Sequence, residues 1–335
     1  MRTRLLATTL GLAAVTVLAG CSGSSGRSKT FAAGTTPAST TAVAPAPSAA
    51  SSSAATPTSA TFPSAAATPA PQYYVSLGDS YAAGYQGIGR NEGRTTTNGF
   101  AYQVVTKAKA KGYDYRLVNF GCAGATTQTM LSSAGCRRGF TGPGAPQYST
   151  TQTAAAVAFM KAHRGHIALV TVSIGGNDVI PCGVRSDALS CLTTSIGKAR
   201  TNLNSILQQV RAAAGSSTRI VGTTYPDVLL GNLLSKDASL RSLASLSVTA
   251  FKSLINPQLQ QAYQAVGGRF VDVTAAFGSY GSLTQTTSLP PYGNIPVPTA
   301  KICSLTFYCA YQDIHPRTPG YAIIADLVTA TLPRQ

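Results

Sequence analysis

The sequence predicts an α/β domain, a three-layer α/β/α sandwich around a parallel five-stranded sheet. Three observations carry that expectation. From residue 72 onward, short apolar runs alternate with longer segments of helical periodicity, the pattern of parallel strands joined by crossover helices. The stretch 72–335 has a size that suits one large domain. Turn-forming residues follow the first three apolar runs directly, where open α/β sheets place their binding loops.

The strands read as Tyr73–Leu77, Tyr115–Asn119, Ile167–Ile174, Arg219–Thr224 and Arg269–Val273. Helical periodicity covers 100–111, 152–163, 187–214 and 238–265, with a last segment from Thr318 to Leu332 after Pro316. A flavodoxin-like strand order, 2-1-3-4-5, sets strand one between strands two and three, so their carboxyl-end loops converge at a switch point.

The first 71 residues are of another kind. Arg2 and Arg4 precede the apolar stretch Leu5–Leu18, and Leu18-Ala19-Gly20-Cys21 follows. A basic start, a short apolar core and small residues before a cut site define a secretory signal over residues 1–20. The apolar stretch falls short of the roughly 20 residues a permanent span needs. The Cys after Leu-Ala-Gly resembles a bacterial lipobox, which implies a lipidated Cys21 as the mature N-terminus. Residues 22–71 are almost all Ser, Ala, Thr, Pro and Gly. Such a segment has too little apolar surface to offset ordering entropy, so a disordered linker over 21–71 is expected. Tracts of this kind can carry O-glycans.

Net charge is +16, from 26 Lys and Arg against 10 Asp and Glu. That balance favours anionic surfaces. The basic residues are scattered, however (Lys107, Lys109, Lys111, Arg116, Arg137, Arg138, Arg164), without the aromatic-interleaved pattern of a nucleic-acid module. A solvated basic face and no nucleic-acid partner is the expectation.

Beyond Cys21 the cysteines are Cys122, Cys136, Cys182, Cys191, Cys303 and Cys309. An even set in an exported chain reads as three disulfides, and sequence does not formally choose their connectivity. The spacing forms three near-neighbour pairs, 122–136, 182–191 and 303–309. A metal site is the weaker alternative, because no Cys-x-x-Cys is present.

Four short blocks remain. Gly78-Asp79-Ser80 ends the first strand, and Asn119-Phe120-Gly121-Cys122-Ala123-Gly124 the second. Gly175-Gly176-Asn177-Asp178 ends the third, and Asp313-Ile314-His315-Pro316 precedes the final helix. Gly-Asp-Ser alone also suits an ordinary turn. In this order and spacing the four resemble the SGNH (GDSL) hydrolase superfamily over about residues 73–332, in particular its secreted actinobacterial esterase and lipase branch. The resemblance implies the SGNH hydrolase fold and a Ser80 nucleophile. It also implies a His315 base and an oxyanion hole of the Ser80 N–H, the Gly124 N–H and the Asn177 side-chain amide. Gly124 is preferred to Gly121 because Ala123-Gly124-Ala125-Thr126-Thr127 matches the family's small-Gly-x-Thr pattern. The other histidines, His163 and His166, sit before strand three, at the sheet end opposite the site, and read as surface or capping residues. Asp79 and Asp178 are assigned to loop structure.

The chain departs from the family at the third catalytic member. The usual Asp-x-x-His spacing falls on Gln312, and Asp313 lies one residue nearer. Asp313, or a backbone carbonyl of Gln312 or Asp313, must fix the imidazole tautomer. The branch resembled includes Ser-His dyads completed by a main-chain carbonyl, and the dyad is the arrangement first expected here.

These features imply a lipid-anchored, extracytoplasmic serine esterase or lipase acting through an acyl-Ser80 intermediate, without metal or organic cofactor. It would be monomeric, with an ester substrate and a membrane contact through Cys21. Lipid esters, phospholipids and acylated envelope glycans are the candidate substrates. An acyltransferase using the same acyl-enzyme, or a binding lipoprotein with a decayed site, are the alternatives. Gly-x-Ser-x-Gly, the nucleophile elbow of α/β-hydrolases, is absent from the sequence. Loops 85–99, 128–150 and 275–312 are expected to shape the acyl pocket.

Overall fold

Five parallel strands form the central sheet in a computed structural model that describes residues 71–185 and 187–334. The signal segment, Cys21 and the linker up to residue 70 lie outside the described residues. The chain runs through β1 (Gln72–Gly78) and α1 (Ser80–Ala83) into a hairpin of β2 (Tyr85–Gly89) and β3 (Glu92–Thr95). Next come α2 (Phe100–Lys109), β4 (Tyr115–Asn119), α3 (Thr127–Ser132), α4 (Gln152–Ala162) and β5 (Ile167–Ser173). α5 (Gly176–Val179) and the long α6 (Ala188–Ala214) precede β6 (Arg219–Thr223). α7 (Ala238–Ala250) and α8 (Asn256–Gln264) precede β7 (Arg269–Val271). Then follow α9 (Val273–Ala276), a hairpin of β8 (Thr286–Leu289) and β9 (Gly293–Pro296), α10 (Val297–Leu305), α11 (Tyr308–Tyr311) and α12 (Thr318–Ala330).

The sheet order is β4-β1-β5-β6-β7 and every neighbouring pair is parallel. This is the 2-1-3-4-5 order that the alternation of elements predicts. Both faces of β1 are covered, which is why it reads as an unbroken apolar run rather than an alternating one. Val75 and Leu77 pack with Val170, Val172, Leu203, Ile206 and Val210 on the side of α4, α6 and α8. Tyr74 packs with Leu169, Val221, Phe100, Val104, Tyr321 and Ile324 on the side of α2 and α12. The crossover from β1 to β4 uses one face and that from β4 to β5 the other, so the switch point falls at β1.

Three segments differ from expectation, one of them 275–312, expected as a loop, which holds the β8–β9 hairpin, α10 and α11. Residues 85–99 are not an open loop but contain the β2–β3 hairpin. The helix expected over 238–265 is interrupted by a π-helical turn at Phe251–Ile255. Pro257 explains the interruption: it has no N–H for the Ser253 carbonyl and its ring crowds that oxygen.

Three disulfides join Cys122 to Cys136, Cys182 to Cys191 and Cys303 to Cys309, with Cα–Cα separations of 5.8, 5.5 and 5.1 Å. Such bonds persist in oxidising compartments outside the cytoplasm. Among the described residues no helix is long and apolar enough to cross a membrane.

Asp227, in the loop after β6, is fully buried and accepts a hydrogen bond from Ser247 Oγ at 2.8 Å. Burial pushes its carboxyl up to about 7. A folded-state value above the unfolded one favours the protonated native state, so this contribution is full below about pH 4 and is lost as pH rises through about 7. Asp227→Asn is therefore expected to flatten the decline of Tm between pH 5 and pH 8. Calorimetry at the two pH values checks this, and an unchanged difference would rule it out.

Candidate active site

Gly78 ends β1 at φ +135°, and a Cβ there would sit 2.0 Å from the Ser173 carbonyl oxygen, so only glycine fits. The buried Gln152 side chain closes this strand end, donating to Gly78 O at 2.9 Å and accepting from Gly78 N–H at 2.7 Å. Asp79 caps α1, its Oδ1 accepting from Tyr81 N–H at 2.9 Å. Ser80 is thereby the first residue of a helical turn at the carboxyl end of the central strand, with only 6% of its surface exposed. Asp79 is a loop-structure residue as expected, yet its environment is unusual: burial pushes its carboxyl up to about 7.

The second block docks against this turn. Asn119 Nδ2 donates to Ala82 O at 2.8 Å, and its Oδ1 accepts from Gly121 N–H at 2.9 Å. A Cβ on Gly121 would lie 2.6 Å from Ala83 N, so Gly121 serves close packing. Gly124 has φ +84° and open space around it. Among the described residues no backbone hydrogen bond engages the N–H of Ser80 or of Gly124.

Block three joins block two. Asn177 Nδ2 donates to Ala125 O at 2.8 Å, which orients the amide and leaves its second hydrogen for another acceptor. The Asp178 carboxylate accepts from Thr127 N–H at 2.9 Å and from Thr127 Oγ1 at 2.5 Å, at the start of α3. Cys122–Cys136 and Cys182–Cys191 close the loops beside these two blocks. Loop 128–150 helps line a cavity of about 160 Å³ beside Gly124, with Met130 and Tyr148 among its walls.

His315 approaches from α11. Tyr81 Oη donates to Ile314 O at 2.7 Å and ties the His315 loop to α1. The imidazole packs beside Tyr85 and Tyr81, with ring centroids 4.6 and 5.8 Å away. Its Nδ1 meets Asp313 Oδ1 at 2.8 Å, and the same oxygen accepts from His315 N–H at 2.8 Å. Its Nε2 is buried with no hydrogen-bond partner among the described residues.

The main-chain-carbonyl dyad is not what the geometry displays: the Asp313 carboxylate stands at Nδ1. The reason is local. Gln312 adopts φ +58°, and Asp313 then forms an Asx turn that folds its carboxylate back onto the residue two positions ahead. The Gln312 side chain, at the usual acid position, instead accepts from Arg90 on the β2–β3 connection at 2.6 Å. His163 caps α4 through Nδ1 and Phe159 O at 2.8 Å, and His166 O accepts from Tyr73 N–H at the opposite end of β1.

Sequence reasoning passed over Gln152, Asn119, Tyr81 and Tyr225. Tyr225 and Asn119 had a signal, the one just past the carboxyl end of β6 and the other at the head of block two; the buried Gln152 had none.

A buried serine on a helical turn, backbone N–H groups without a backbone acceptor among the described residues and an imidazole held by a carboxylate make up this site. The GDSL-like lipase/acylhydrolase family matches residues 76–323. The chain belongs to that family, and it is a carboxylic ester hydrolase. Comparison with curated proteins found no match. Among solved structures it is similar to the extracellular lipase of Streptomyces rimosus, at 19% identity over 78% of this chain and 100% of that one, TM-score 0.43. It is also similar to an acetyl-xylooligosaccharide esterase variant from Geobacillus stearothermophilus, at 16% identity over 78% and 95%, TM-score 0.43. A third is an aryl esterase of M. smegmatis, at 12% identity over 78% and 100%, TM-score 0.41.

Proposed function

We propose that the protein is a lipid-anchored, extracytoplasmic serine esterase or lipase with a Ser80–His315–Asp313 triad. The observation that carries this reading is the imidazole of His315, held at Nδ1 by Asp313 and offering an unpartnered Nε2 in a loop tied to the Ser80 turn. His315 Nε2 takes the Ser80 proton as Oγ attacks the ester carbonyl, and Asp313 holds the tautomer and the resulting imidazolium. The carbonyl oxygen becomes an oxyanion facing the N–H groups of Ser80 and Gly124 and the spare Asn177 hydrogen. Preorganised donors of this kind each contribute about a hundredfold or more. Collapse breaks the ester C–O bond, the alcohol leaves with the proton from His315, and acyl-Ser80 remains. His315 then deprotonates water, which releases the carboxylic acid and restores Ser80. No step in this sequence calls for a metal or organic cofactor.

A fluorophosphonate probe tests the reading directly. Peptide mapping is expected to find the adduct on Ser80 in the wild type and no adduct in His315→Ala. Labelling at another residue, or none in the folded wild type, overturns it. The substrate class rests on the same site: hydrolysis rates along a series of p-nitrophenyl esters of rising chain length separate an esterase from a lipase.

The domain division is 1–20 signal, 21–71 lipidated Cys and linker, and 72–335 hydrolase. The anchor rests on Leu18-Ala19-Gly20-Cys21. Cells expressing the wild type are expected to incorporate labelled palmitate into the protein and retain it in the membrane fraction. Cys21→Ser should lose both, and label that survives the substitution sinks the lipobox assignment.

A further inference from the structure

We propose that Tyr225 is a positioning residue of this hydrolase, holding the nucleophile turn and the oxyanion segment as one unit; the inference rests on the site roles proposed above. Tyr225 belongs to none of the four blocks. It follows β6 at the same sheet edge, and its carbonyl accepts from Thr274 Oγ1 at 2.7 Å, which fixes its backbone. The phenol donates to Asp79 Oδ2 at 2.5 Å, while Asp79 Oδ1 accepts from Tyr81 N–H. Both oxygens of the carboxylate before Ser80 are thus occupied. Burial pushes the Tyr225 hydroxyl well above its ordinary range, so it remains a donor.

The ring does a second task. A Cβ on Gly176 would stand 3.1 Å from Tyr225 Cζ and 3.3 Å from its two neighbouring ring carbons. The residue before Asn177 is therefore laid flat on the tyrosine face. The opposite contact is an edge-on approach to Tyr81, with centroids 4.9 Å apart and planes at 83°. Tyr81 in turn holds Ile314 O, next to His315. One side chain therefore sets the distance between the nucleophile turn and Asn177, and through Tyr81 it reaches the base loop.

Small misplacements matter here, because an error of about 1 Å in reacting groups can cost about a hundredfold in rate. Tyr225→Phe keeps the ring and removes only the donor to Asp79. Its kcat on p-nitrophenyl acetate is expected to fall about tenfold or more with KM little changed, since ground-state contacts remain. The rate at which a fluorophosphonate modifies Ser80 should fall in the same proportion. Gly176→Ala should lower kcat by pressing on the ring, yet add nothing in a Tyr225→Ala background, because coupled residues are non-additive. The inference is overturned by a folded Tyr225→Phe with kcat within about twofold of wild type, or by a Gly176→Ala loss that multiplies fully in the Tyr225→Ala background. Should Tyr225→Phe not fold, Gly176→Ala alone decides, on the same kcat criterion. Ser80→Ala in parallel separates the two failures: an active Ser80→Ala removes the triad itself, whereas an inactive one with unaffected Tyr225→Phe removes only the role of Tyr225.

Discussion

Ser80→Ala is expected to lower kcat for p-nitrophenyl acetate by about 10⁴ to 10⁶ while leaving Tm near the wild-type value. The substitution deletes one oxygen at the start of α1 and keeps the cap. Asp79 still accepts from the N–H of residue 81, and Gln152 still brackets Gly78. His315→Ala should cost as much, and the double variant no more than either, because nucleophile and base act as one unit. A rate for Ser80→Ala within about tenfold of wild type would place the chemistry elsewhere.

The second large effect belongs to Asp313. Its Oδ1 accepts two hydrogen bonds, from His315 N–H and from His315 Nδ1. Asp313→Asn preserves an oxygen for the Asx turn, so the loop keeps its course, but the negative charge facing the imidazole is gone. The amide NH₂ can also present itself to Nδ1 and favour the wrong tautomer. By analogy with charge removal in other serine hydrolases, kcat should fall by up to about ten-thousandfold. A loss of about tenfold or less would mean that a backbone carbonyl orients the ring, as in a dyad. Circular dichroism and Tm of the variant separate a collapsed loop from a mis-set tautomer.

Much of this architecture is legible in the sequence because it follows from periodicity. The strand runs at 115–119, 167–173 and 219–223 are bounded by turn residues, and their alternation with helical segments dictates a parallel sheet. The first three blocks fall at strand ends for the same reason. What escaped depends on single backbone angles and on contacts between distant residues. The β2–β3 hairpin is glycine-rich, with Gly87, Gly89 and Gly93 in a short stretch, and carries no clear alternation. The break in the helix at 251–255 depends on how one proline is accommodated. Residue counting leaves the third member open between Asp313 and a backbone carbonyl, because it assumes a regular path. Gln312 takes a left-handed conformation that no spacing rule anticipates. Tyr225 was missed because its partners, Asp79 and Gly176, are far away in sequence and near only across the sheet edge.

The three disulfides span sequence separations of 14, 9 and 6 residues, and none links two strands of the sheet. Such short closures act within a loop and leave the topology to the buried core. Each site-bordering segment is thus a self-contained cassette whose ends are fixed by its own covalent clasp. Residues 183–190, between Cys182 and Cys191, carry none of the groups proposed for catalysis and can change without the sheet having to adjust, whereas 123–135 hold Gly124 and the buried Met130. One clasped segment thus holds a residue of the proposed oxyanion hole, while the segment 183–190 is free to vary apart from the chemistry at the strand ends.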